Sequence, residues 1–391
     1  MRSALLLLHS AILSLGFAKA FELADLEQLG HISRPMGYVW LGSAVLFGLA
    51  AGLSALDREW WWLPAAVGLV SSTVVIVASW DEAKAGLIVN LIVLPVVLAH
   101  AFGRAPGGCR SRYARAVRDQ LARGAARPRT VTESDLAQLP EPVARYLRFV
   151  GVVGRPEVRD YRYRFDMALR EGPDRPYLHG VAEQHSFTDP PARLFLYRGR
   201  KFGLPIEAFH RYVGRHATFS VRLASLLDVV DARGDEMDRA ETVTLFADMC
   251  LLAPATLTDP SITWEQAAAS TVRGSWSNAG NPVSAVLTFS ADGALSAFHS
   301  DDRGRSDDLA KWGLTELDPG TAVGSPNRVR WSTTVTRWGD LDGRMAPLRG
   351  HATWHLPGGD FTYAEFRLTD REFNATTPRA SSAMLVGPPV G

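Results

Sequence analysis

The sequence is poor in cysteine and in lysine. Cys109 and Cys250 are the only cysteines in 391 residues, which is too few for a disulfide framework and fits a reducing compartment. The basic residues are almost all arginine, because lysine is confined to Lys19, Lys84, Lys201 and Lys311. This bias is typical of a GC-rich bacterial genome and carries no information about mechanism.

The common catalytic motifs are also missing. The sequence has no Gly-rich phosphate loop, no Cys-x-x-Cys, no His-Glu-x-x-His and no Gly-x-Ser-x-Gly. These absences remove the usual signatures of P-loop enzymes, thiol redox proteins, zinc peptidases and α/β-hydrolases. We therefore predict no cofactor and leave open whether the chain is an enzyme.

What the sequence does have is a long apolar N-terminal part. Four stretches each approach the ~20 residues that cross a bilayer core, and they are apolar on all sides, unlike an amphipathic core helix. They are Ala4–Phe21, Gly37–Leu56, Trp60–Trp80 and Ala85–Phe102. We therefore predict a multi-pass protein of the inner cell membrane, with four transmembrane helices in residues 1–104 and the lipid bilayer as its first partner.

The first stretch allows a second interpretation. Arg2, the apolar run and Ala18-Lys19-Ala20 also resemble a cleavable signal peptide. A retained helix is the preferred interpretation because three further spans follow. Within the spans, His9, Asn90 and His100 could line a proton or substrate path. The preferred interpretation is that Asn90 and Ser14 bond between helices and His100 lies at the interface, and the lack of acidic residues at span centres argues against an ion-coupled transporter.

An arginine-rich run follows the last stretch and sets the predicted orientation. Between Phe102 and Thr130, eight arginines stand against the single acid Asp119. Positive residues close to a span stay on the cytoplasmic side, so we predict a cytoplasmic C-terminal domain joined by a basic linker at 105–131. Within it, Arg110–Arg123 predicts an amphipathic helix that lies on anionic headgroups or only enforces topology. Nucleic acid is not an expected partner, because the downstream domain lacks a basic stripe.

Residues 132–391 predict an α+β domain built on an extended antiparallel sheet with one internal helix. Alternating apolar and polar residues from Tyr161 to Leu169 indicate a half-buried antiparallel strand. The same alternation recurs in Ala217–Leu223, Thr271–Ser277, Val283–Phe289, Arg328–Val335 and His351–His355. The internal helix is predicted at Asp238–Leu252, with Asp238 as its N-cap and Pro254 just beyond its end.

Several segments resemble a known family. The more specific ones are Leu139–Leu147, Glu241–Leu257 and Trp331–Trp354, and N-terminal ones are Gly16–Phe21, Ile32–Pro35 and Trp80–Lys84. On these residues the chain resembles an uncharacterised bacterial membrane family, the domain of unknown function numbered six five four four. The resemblance implies four transmembrane helices followed by a β-rich domain, and it favours retention of the first span. It implies no activity.

Two pairs of polar residues are weak catalytic candidates. Glu183 and His185 share one face of a predicted strand, where a carboxylate could orient a general base. Glu241 and Asp248 are seven residues apart on one face of the internal helix, where two acids could flank a scissile bond. Each pair is equally the pattern of a solvated sheet face, a polar helix face or a helix cap.

The aromatic residues and a histidine pair complete the candidates. Trp276, Trp331 and Trp354 either fill a packed core or line an apolar cavity that binds a ligand, with the internal helix as its lid. His351 and His355 are four residues apart on a predicted strand, about 13 Å, which is too far to share a metal ion. No metal site is predicted.

Three classes of function therefore stay open. The first is a membrane-anchored domain that binds a lipidic or other apolar ligand. The second is a membrane-anchored hydrolase or transferase that uses acids such as Glu241 or Glu183. The third is a structural or interaction protein whose protein partners are unknown. An apolar cavity would favour the ligand-binding domain. Desolvated acids beside a histidine would favour the enzyme, and an exposed apolar patch would favour the interaction protein.

Overall fold

A computed structural model describes residues 2–24, 26, 30–103, 106–124, 128–202, 204–304 and 328–375. These residues form two compact units. One is built on the helical residues up to 108, and the other holds 109–223 and the described residues from 227 onward. A helical N-terminal region therefore precedes a separate, larger domain.

The N-terminal unit consists of apolar helices. Its helices are α1 Arg2–Ala20, α2 Arg34–Ala55, α3 Trp62–Ala78, α4 Trp80–Ala83 and α5 Gly86–Gly103. By length and composition, α1 and α2 are candidate membrane spans, whereas α3 and the apolar part of α5, Gly86–Phe102, are shorter. The structure therefore has two candidate spans and not the four that we predicted. The third stretch is shortened because its first residues form a 3-10 turn, Glu59–Trp61, and its helix ends before Ser79.

Polar side chains join the helices of this unit. The Asn90 side-chain amide donates to Ser72 Oγ at 2.9 Å and to Thr73 Oγ1 at 3.0 Å, and Asn90 Oδ1 lies 2.8 Å from His9 Nε2. The prediction that Asn90 bonds between helices is confirmed. For Ser14 it is wrong, because its hydroxyl donates to the Ser10 carbonyl one turn earlier in α1.

The second unit opens with three helices and continues as one antiparallel sheet. The helices are α6 Cys109–Leu121, α7 Glu133–Leu136 and α8 Glu141–Phe149. The strands are β1 Asp160–Leu169, β2 Leu178–Thr188, β3 Pro191–Lys201, β4 Leu204–Val213, β5 His216–Leu223, β6 Leu227–Arg233, β7 Thr263–Ala268, β8 Thr271–Asn278, β9 Asn281–Phe289, β10 Leu295–Ser300, β11 Trp331–Leu341, β12 Arg344–Leu356 and β13 Gly359–Phe373. Five of the six segments predicted as strands lie in β1, β5, β8, β9 and β12, and the sixth, Arg328–Val335, begins three residues before β11.

The sheet is two meanders joined at their first and last strands. Its order is β6-β5-β4-β3-β2-β1-β13-β12-β11-β10-β9-β8-β7, and β1 pairs with β13 from Tyr161↔Phe373 to Leu169↔Ala364. The remaining helix, α9 Asp235–Leu251, connects the two edge strands, β6 and β7. Thirteen flat strands about 4.8 Å apart would put those edges nearly 60 Å apart, yet α9 is about 25 Å long. Because α9 contacts β5 and β6 as well as β8, β9 and β10, the sheet curves around it.

The start of α9 differs from the prediction. The helix begins three residues earlier than Asp238, after Gly234, whose φ of 113° a glycine adopts without strain. Asp238 is therefore not the N-cap. Its Oδ1 instead accepts a hydrogen bond of 2.6 Å from the backbone N–H of Ala217 in β5. The helix is thereby fixed to the sheet at its first turn.

Helix α6 uses its apolar face inside the protein. It contacts β3 and β4 on the sheet face opposite to α9, where Tyr113 and Val117 are buried and the Tyr113 ring meets Phe209 edge-on at 6.0 Å. Arg110 Nε donates to the buried Glu207 at 2.5 Å. The amphipathic pattern of α6 is thus explained by packing on the sheet, and its apolar stripe is not free to insert among lipid headgroups.

Candidate functional site

A cavity of ≈ 410 Å³ lies between α9 and the sheet face that curves around it. We call it the α9 cavity. Most of its wall is apolar and comes from both meanders. The apolar wall includes Phe165, Met167, Leu169, Phe195, Tyr197, Ile206, Phe219, Val221, Val229, Leu251, Trp331, Trp354 and Phe366. This size and composition are typical of a small-molecule site.

The Tyr197 ring forms one part of the wall because two glycines make room for it. Gly180 in β2 and Gly199 in β3 are directly paired across the strands. A Cβ at Gly180 would lie 2.7 Å from the Tyr197 ring, and a Cβ at Gly199 would lie 2.5 Å from its hydroxyl oxygen. The hydroxyl donates to the Leu178 carbonyl at 2.8 Å. The ring therefore lies across the glycine pair in a fixed position.

A charged cluster closes one part of this apolar wall. Arg193, from β3, donates through Nε to Asp248 Oδ2 at 2.6 Å and through Nη1 to Glu241 Oε2 at 3.0 Å, both on α9. Gln184, from β2, donates through Nε2 to Asp248 Oδ2 at 2.8 Å and accepts from Arg193 Nη2 at 3.2 Å. Burying such charges is costly unless they are paired. One arginine therefore binds both helix acids.

His210, from β4, lies at the edge of this cluster. Its Nδ1 is 3.2 Å from Glu241 Oε1, at an angle that does not make a hydrogen bond. Its ring stacks on Phe219 with centroids 3.8 Å apart. Burial lowers the pKa of His210 by more than Glu241 raises it, so the imidazole is neutral at pH 7.

Glu241 and Arg193 are both held in their charged forms by their neighbours. Burial raises the pKa of Glu241, but His210 in its protonated form, together with Arg193 and Arg303, outweighs that effect and holds it well below its ordinary value. Burial lowers the pKa of Arg193, and Asp248 and Glu241 more than reverse this. Glu241 and Arg193 therefore stay ionised inside the cavity wall.

A second cation faces the cavity from the other meander. The Arg303 guanidinium lies over the rings of Trp331 and Trp354, 4.4 and 5.2 Å from their centroids. Its Nη1 donates to the Tyr363 hydroxyl oxygen at 3.1 Å, which also accepts from Trp331 Nε1 at 3.2 Å. The Arg303 Nε is buried without an acceptor among the described residues.

The structure brings together four of the residues that the sequence singled out. Glu241 and Asp248 both line the α9 cavity, as do Trp331 and Trp354. Trp276 does not line it. Its ring stacks on Phe246, 5.9 Å between centroids, in the packed core. The packed-core interpretation therefore fits Trp276, whereas Trp331 and Trp354 line a cavity and their role in binding stays a prediction.

Glu183 and His185 lie elsewhere, on the sheet face that α6 covers. Glu183 Oε2 is 3.3 Å from Arg162 Nη1, and its Oε1 accepts from the Tyr113 hydroxyl at 3.2 Å. His185 Nε2 is 3.0 Å from Asp160 Oδ1. The two residues share a face as expected, but their polar atoms bind different partners.

The histidines of β12 have separate surroundings. His355 Nε2 bonds Ser332 Oγ at 2.8 Å, and its Nδ1 lies 2.7 Å from Asp360 Oδ1. His351 is paired across the strands with Thr334 and Glu365. Within the described ranges, no group of three or more His, Cys, Asp or Glu side chains is arranged to hold a metal ion.

Sequence reasoning did not identify Arg193, His210, Gln184 or Arg303 as site residues. Arg193 alternates with Phe195 and Tyr197 on one face of β3, but Leu194 and Leu196 make the other face equally apolar. The usable signal was a charged residue within a strand that is apolar on both faces, because such a charge must find a buried partner. Arg303 lies beyond the end of β10, outside any periodic segment.

A helical N-terminal region followed by a large antiparallel sheet that encloses a cavity defines the class of this protein. The chain belongs to the family described as "Family of unknown function (DUF6544)", whose model matches residues 129–366. The match confirms the resemblance for the second unit. It does not reach the N-terminal helices, on which we also based the resemblance.

Solved structures give partial overlaps. One is a DUF1329 family protein from Desulfovibrio piger, with a TM-score of 0.34 and 10% identity over 64% of this chain and 95% of that one. The second is a domain described as an outer membrane lipoprotein-sorting protein from Vibrio parahaemolyticus, with a TM-score of 0.32 and 10% identity over 58% of this chain and 92% of that one. The third is a LolA superfamily protein from Nitrosomonas europaea, with a TM-score of 0.32 and 9% identity over 63% of this chain and 94% of that one. Overlap at this level carries no argument about function. No curated protein matches the sequence.

Proposed function

We propose that this protein is a membrane-anchored binding domain for a lipidic or other apolar ligand, which it holds in the α9 cavity. The observation that carries the proposal is the cavity itself, ≈ 410 Å³ with a mainly apolar wall. A monomeric domain gains stability by filling such a space with side chains, since an empty cavity costs packing energy. A cavity of this size is better explained by an occupant than by imperfect packing.

The cavity mouth also suits an apolar ligand. Phe202, which follows β3, lines the mouth and is 87% exposed. Beside it, Lys201 Nζ lies 2.5 Å from Glu171 Oε1. An exposed aromatic next to a lysine is a pairing common at membrane–water interfaces.

The membrane part of the proposal rests on the N-terminal unit. We propose three parts, namely a helical membrane region at 1–104, a basic linker at 105–131 whose helix α6 packs on the sheet, and the binding domain at 132–391. The arginines of the linker favour a cytoplasmic position for the domain. The proposed side is the same for two spans and for four, because an even number of membrane crossings returns the chain to the side on which it started.

Photolabelling tests the binding proposal directly. Membranes containing the 391-residue chain would be irradiated with a long-chain alcohol that carries a diazirine on its chain, and the labelled peptides mapped by mass spectrometry. Labels on cavity-lining peptides of β3, β4 or α9 support the proposal. Labels confined to the N-terminal helices, or none above the level of an unrelated membrane protein, refute it.

A second candidate function is hydrolysis or group transfer in the same cavity. The observation that favours it is the approach of His210 Nδ1 to Glu241 Oε1 beside Asp248. Burial raises the pKa of Asp248 more than Arg193 lowers it, and a carboxyl with a raised pKa is a general-acid candidate. Recovery of cleaved or transferred lipid from wild-type membranes, but not from those with Glu241→Gln, would establish this function. Unaltered lipid in both would leave only binding.

A further inference from the structure

We propose that the ligand of the α9 cavity is a single-chain anionic amphiphile whose head pairs with Arg303, an inference that rests on the binding function proposed above. The head is a carboxylate or a phosphate, and the chain lies along the apolar wall.

The cavity wall carries an excess of positive charge. Four cations line it, Arg170, Arg193, Lys201 and Arg303, against three carboxylates, Glu171, Glu241 and Asp248. Subtracting three from four leaves a formal excess of one positive charge, and His210 adds none at pH 7 because burial lowers its pKa. An excess of positive charge in an apolar wall favours an anionic ligand.

Among the four lining cations, Arg303 is the one with a buried N–H that has no acceptor among the described residues. The three carboxylates are paired, Glu171 with Lys201 at 2.5 Å, and Glu241 and Asp248 with Arg193 at 3.0 and 2.6 Å. Arg170 is held by backbone carbonyls, donating to Thr362 at 2.7 Å and to Pro173 at 2.9 Å. In the described part of the chain, no carboxylate forms a direct ion pair with Arg303; its charge acts at longer range on Glu241, where it helps to lower the pKa.

Aromatic contacts fix the orientation of the Arg303 guanidinium. Trp331 and Trp354 support the flat side of its guanidinium, and Tyr363 accepts from only one of its nitrogens. A planar guanidinium fixed in this way offers its remaining N–H groups to a carboxylate or phosphate in a forked geometry. An anion bound there would compensate a charge that is costly to leave unpaired in an apolar wall.

The cavity volume limits the number of acyl chains that the ligand can have. The volume of ≈ 410 Å³ is near the lower end of the roughly 300–1,000 Å³ seen for small-molecule sites. It favours one acyl chain over the two chains of a phospholipid.

The test is a competition experiment on the whole chain in lipid nanodiscs. The uncharged diazirine alcohol serves as the probe, and hexadecanol, palmitate, hexadecyl phosphate and hexadecylamine compete at matched chain length. We expect the two anions to compete about tenfold more strongly than hexadecanol, the factor given by one charge-assisted hydrogen-bonded pair. The amine should compete least. The order of palmitate and hexadecyl phosphate identifies the head.

Variants of Arg303 locate the preference. Arg303→Gln should bring the anions to the level of hexadecanol without changing hexadecanol itself, and Arg303→Lys should retain part of the preference. The control is Arg330→Gln, because Arg330 is exposed and pairs with Asp301 at 2.9 Å outside the cavity. A thermal melt of each variant checks folding.

The outcomes separate the two proposals. Equal competition by hexadecanol and palmitate in the wild type, or an anion preference that survives Arg303→Gln in a folded variant, overturns the anionic head but leaves cavity binding intact. Failure of the probe to label the cavity at all refutes the binding function itself.

Discussion

Arg193 of β3 and Asp248 of α9 are joined by a hydrogen bond of 2.6 Å between Nε and Oδ2, inside the wall of the α9 cavity. The same guanidinium also donates to Glu241. One side of α9 is therefore fixed to β3 at two points seven residues apart. This pairing holds α9 at the sheet without filling the cavity with apolar side chains. The charged cluster therefore permits an open site where packing alone would close it.

Removal of Arg193 should destabilise the protein strongly. Arg193→Met removes the guanidinium that binds the buried Glu241 and Asp248, and losing one partner of a buried ion pair costs roughly 3–5 kcal/mol of unfolding free energy. Arg193→Met combined with Glu241→Gln and Asp248→Asn should recover much of this loss. The measurement is denaturant unfolding of the chain in detergent, followed by circular dichroism.

The matched control for Arg193 is Arg330→Met. Arg330 pairs with Asp301 at 2.9 Å, and both side chains are largely exposed, so the change should cost less than about 1 kcal/mol. An Arg193→Met variant no less stable than Arg330→Met would show that the cluster does not hold α9.

Glu241 should make the protein sensitive to acid. Its pKa in the fold lies below the ordinary value of 4.5, so the unfolded chain binds its proton first as pH falls. The stabilisation is complete above about pH 4.5 and is lost as the pH falls from there toward the folded pKa. Melting temperatures from pH 6 to pH 3 should therefore drop less for Glu241→Gln than for the wild type. An identical drop would contradict this.

His210 should act in a higher pH window. Burial lowers its pKa below 6.5, so the unfolded chain takes up this proton first when the pH falls through 6.5. Stability conferred by the neutral imidazole is present above pH 6.5 and declines below it. His210→Gln should reduce the change in melting temperature between pH 7 and pH 5. The same substitution at the exposed His216 is the control and should leave that change as it is in the wild type.

Filling the cavity should block photolabelling without unfolding the protein. Ala208 lines the cavity on β4 between Tyr197 and Val221, and Ala208→Leu places three more carbons there. We expect labelling by the diazirine alcohol to fall at least fivefold, with a melting temperature within a few degrees of wild type, because the added atoms enter empty space. Ala268→Leu, at an exposed position of β7, is the control. Undiminished labelling in a folded Ala208→Leu variant would place the ligand elsewhere.

The fold was predictable where the residues alternate cleanly and not where both strand faces are buried. β1, β5, β8 and β9 show the alternation because one face is polar. β2 carries Glu183 and His185 on a face that α6 covers, so its polar residues are buried and the pattern misleads. The cavity residues on α9 were recognisable as a same-face acid pair. Their partner Arg193 was not, because contacts between residues 55 positions apart follow from topology rather than local spacing.

The two cysteines should be unreactive until the protein unfolds. Both are 0% exposed. Burial, followed by the nearby Glu207, raises the pKa of Cys109 to about 11, and burial raises that of Cys250 well above its usual range. Because the thiolate is the reactive form, a chromogenic disulfide reagent should detect no thiol in the native chain and both after denaturation. Rapid native reaction of either would show that its surroundings open.

If the two native cysteines are unreactive as we expect, a single introduced cysteine can report on the membrane topology without background labelling. Lys84 is exposed in the turn after α4. If only α1 and α2 cross the bilayer, this turn lies on the same side as the second unit. A membrane-impermeant maleimide should then label Lys84→Cys only after the cells are permeabilised. Labelling in intact spheroplasts would show that α3 and α5 cross as well, as the four apolar stretches predicted. Because the arginine run after α5 favours the cytoplasmic orientation that we propose, we expect a C-terminal fluorescent-protein fusion to fluoresce. A dark fusion and an active alkaline phosphatase fusion would overturn that orientation.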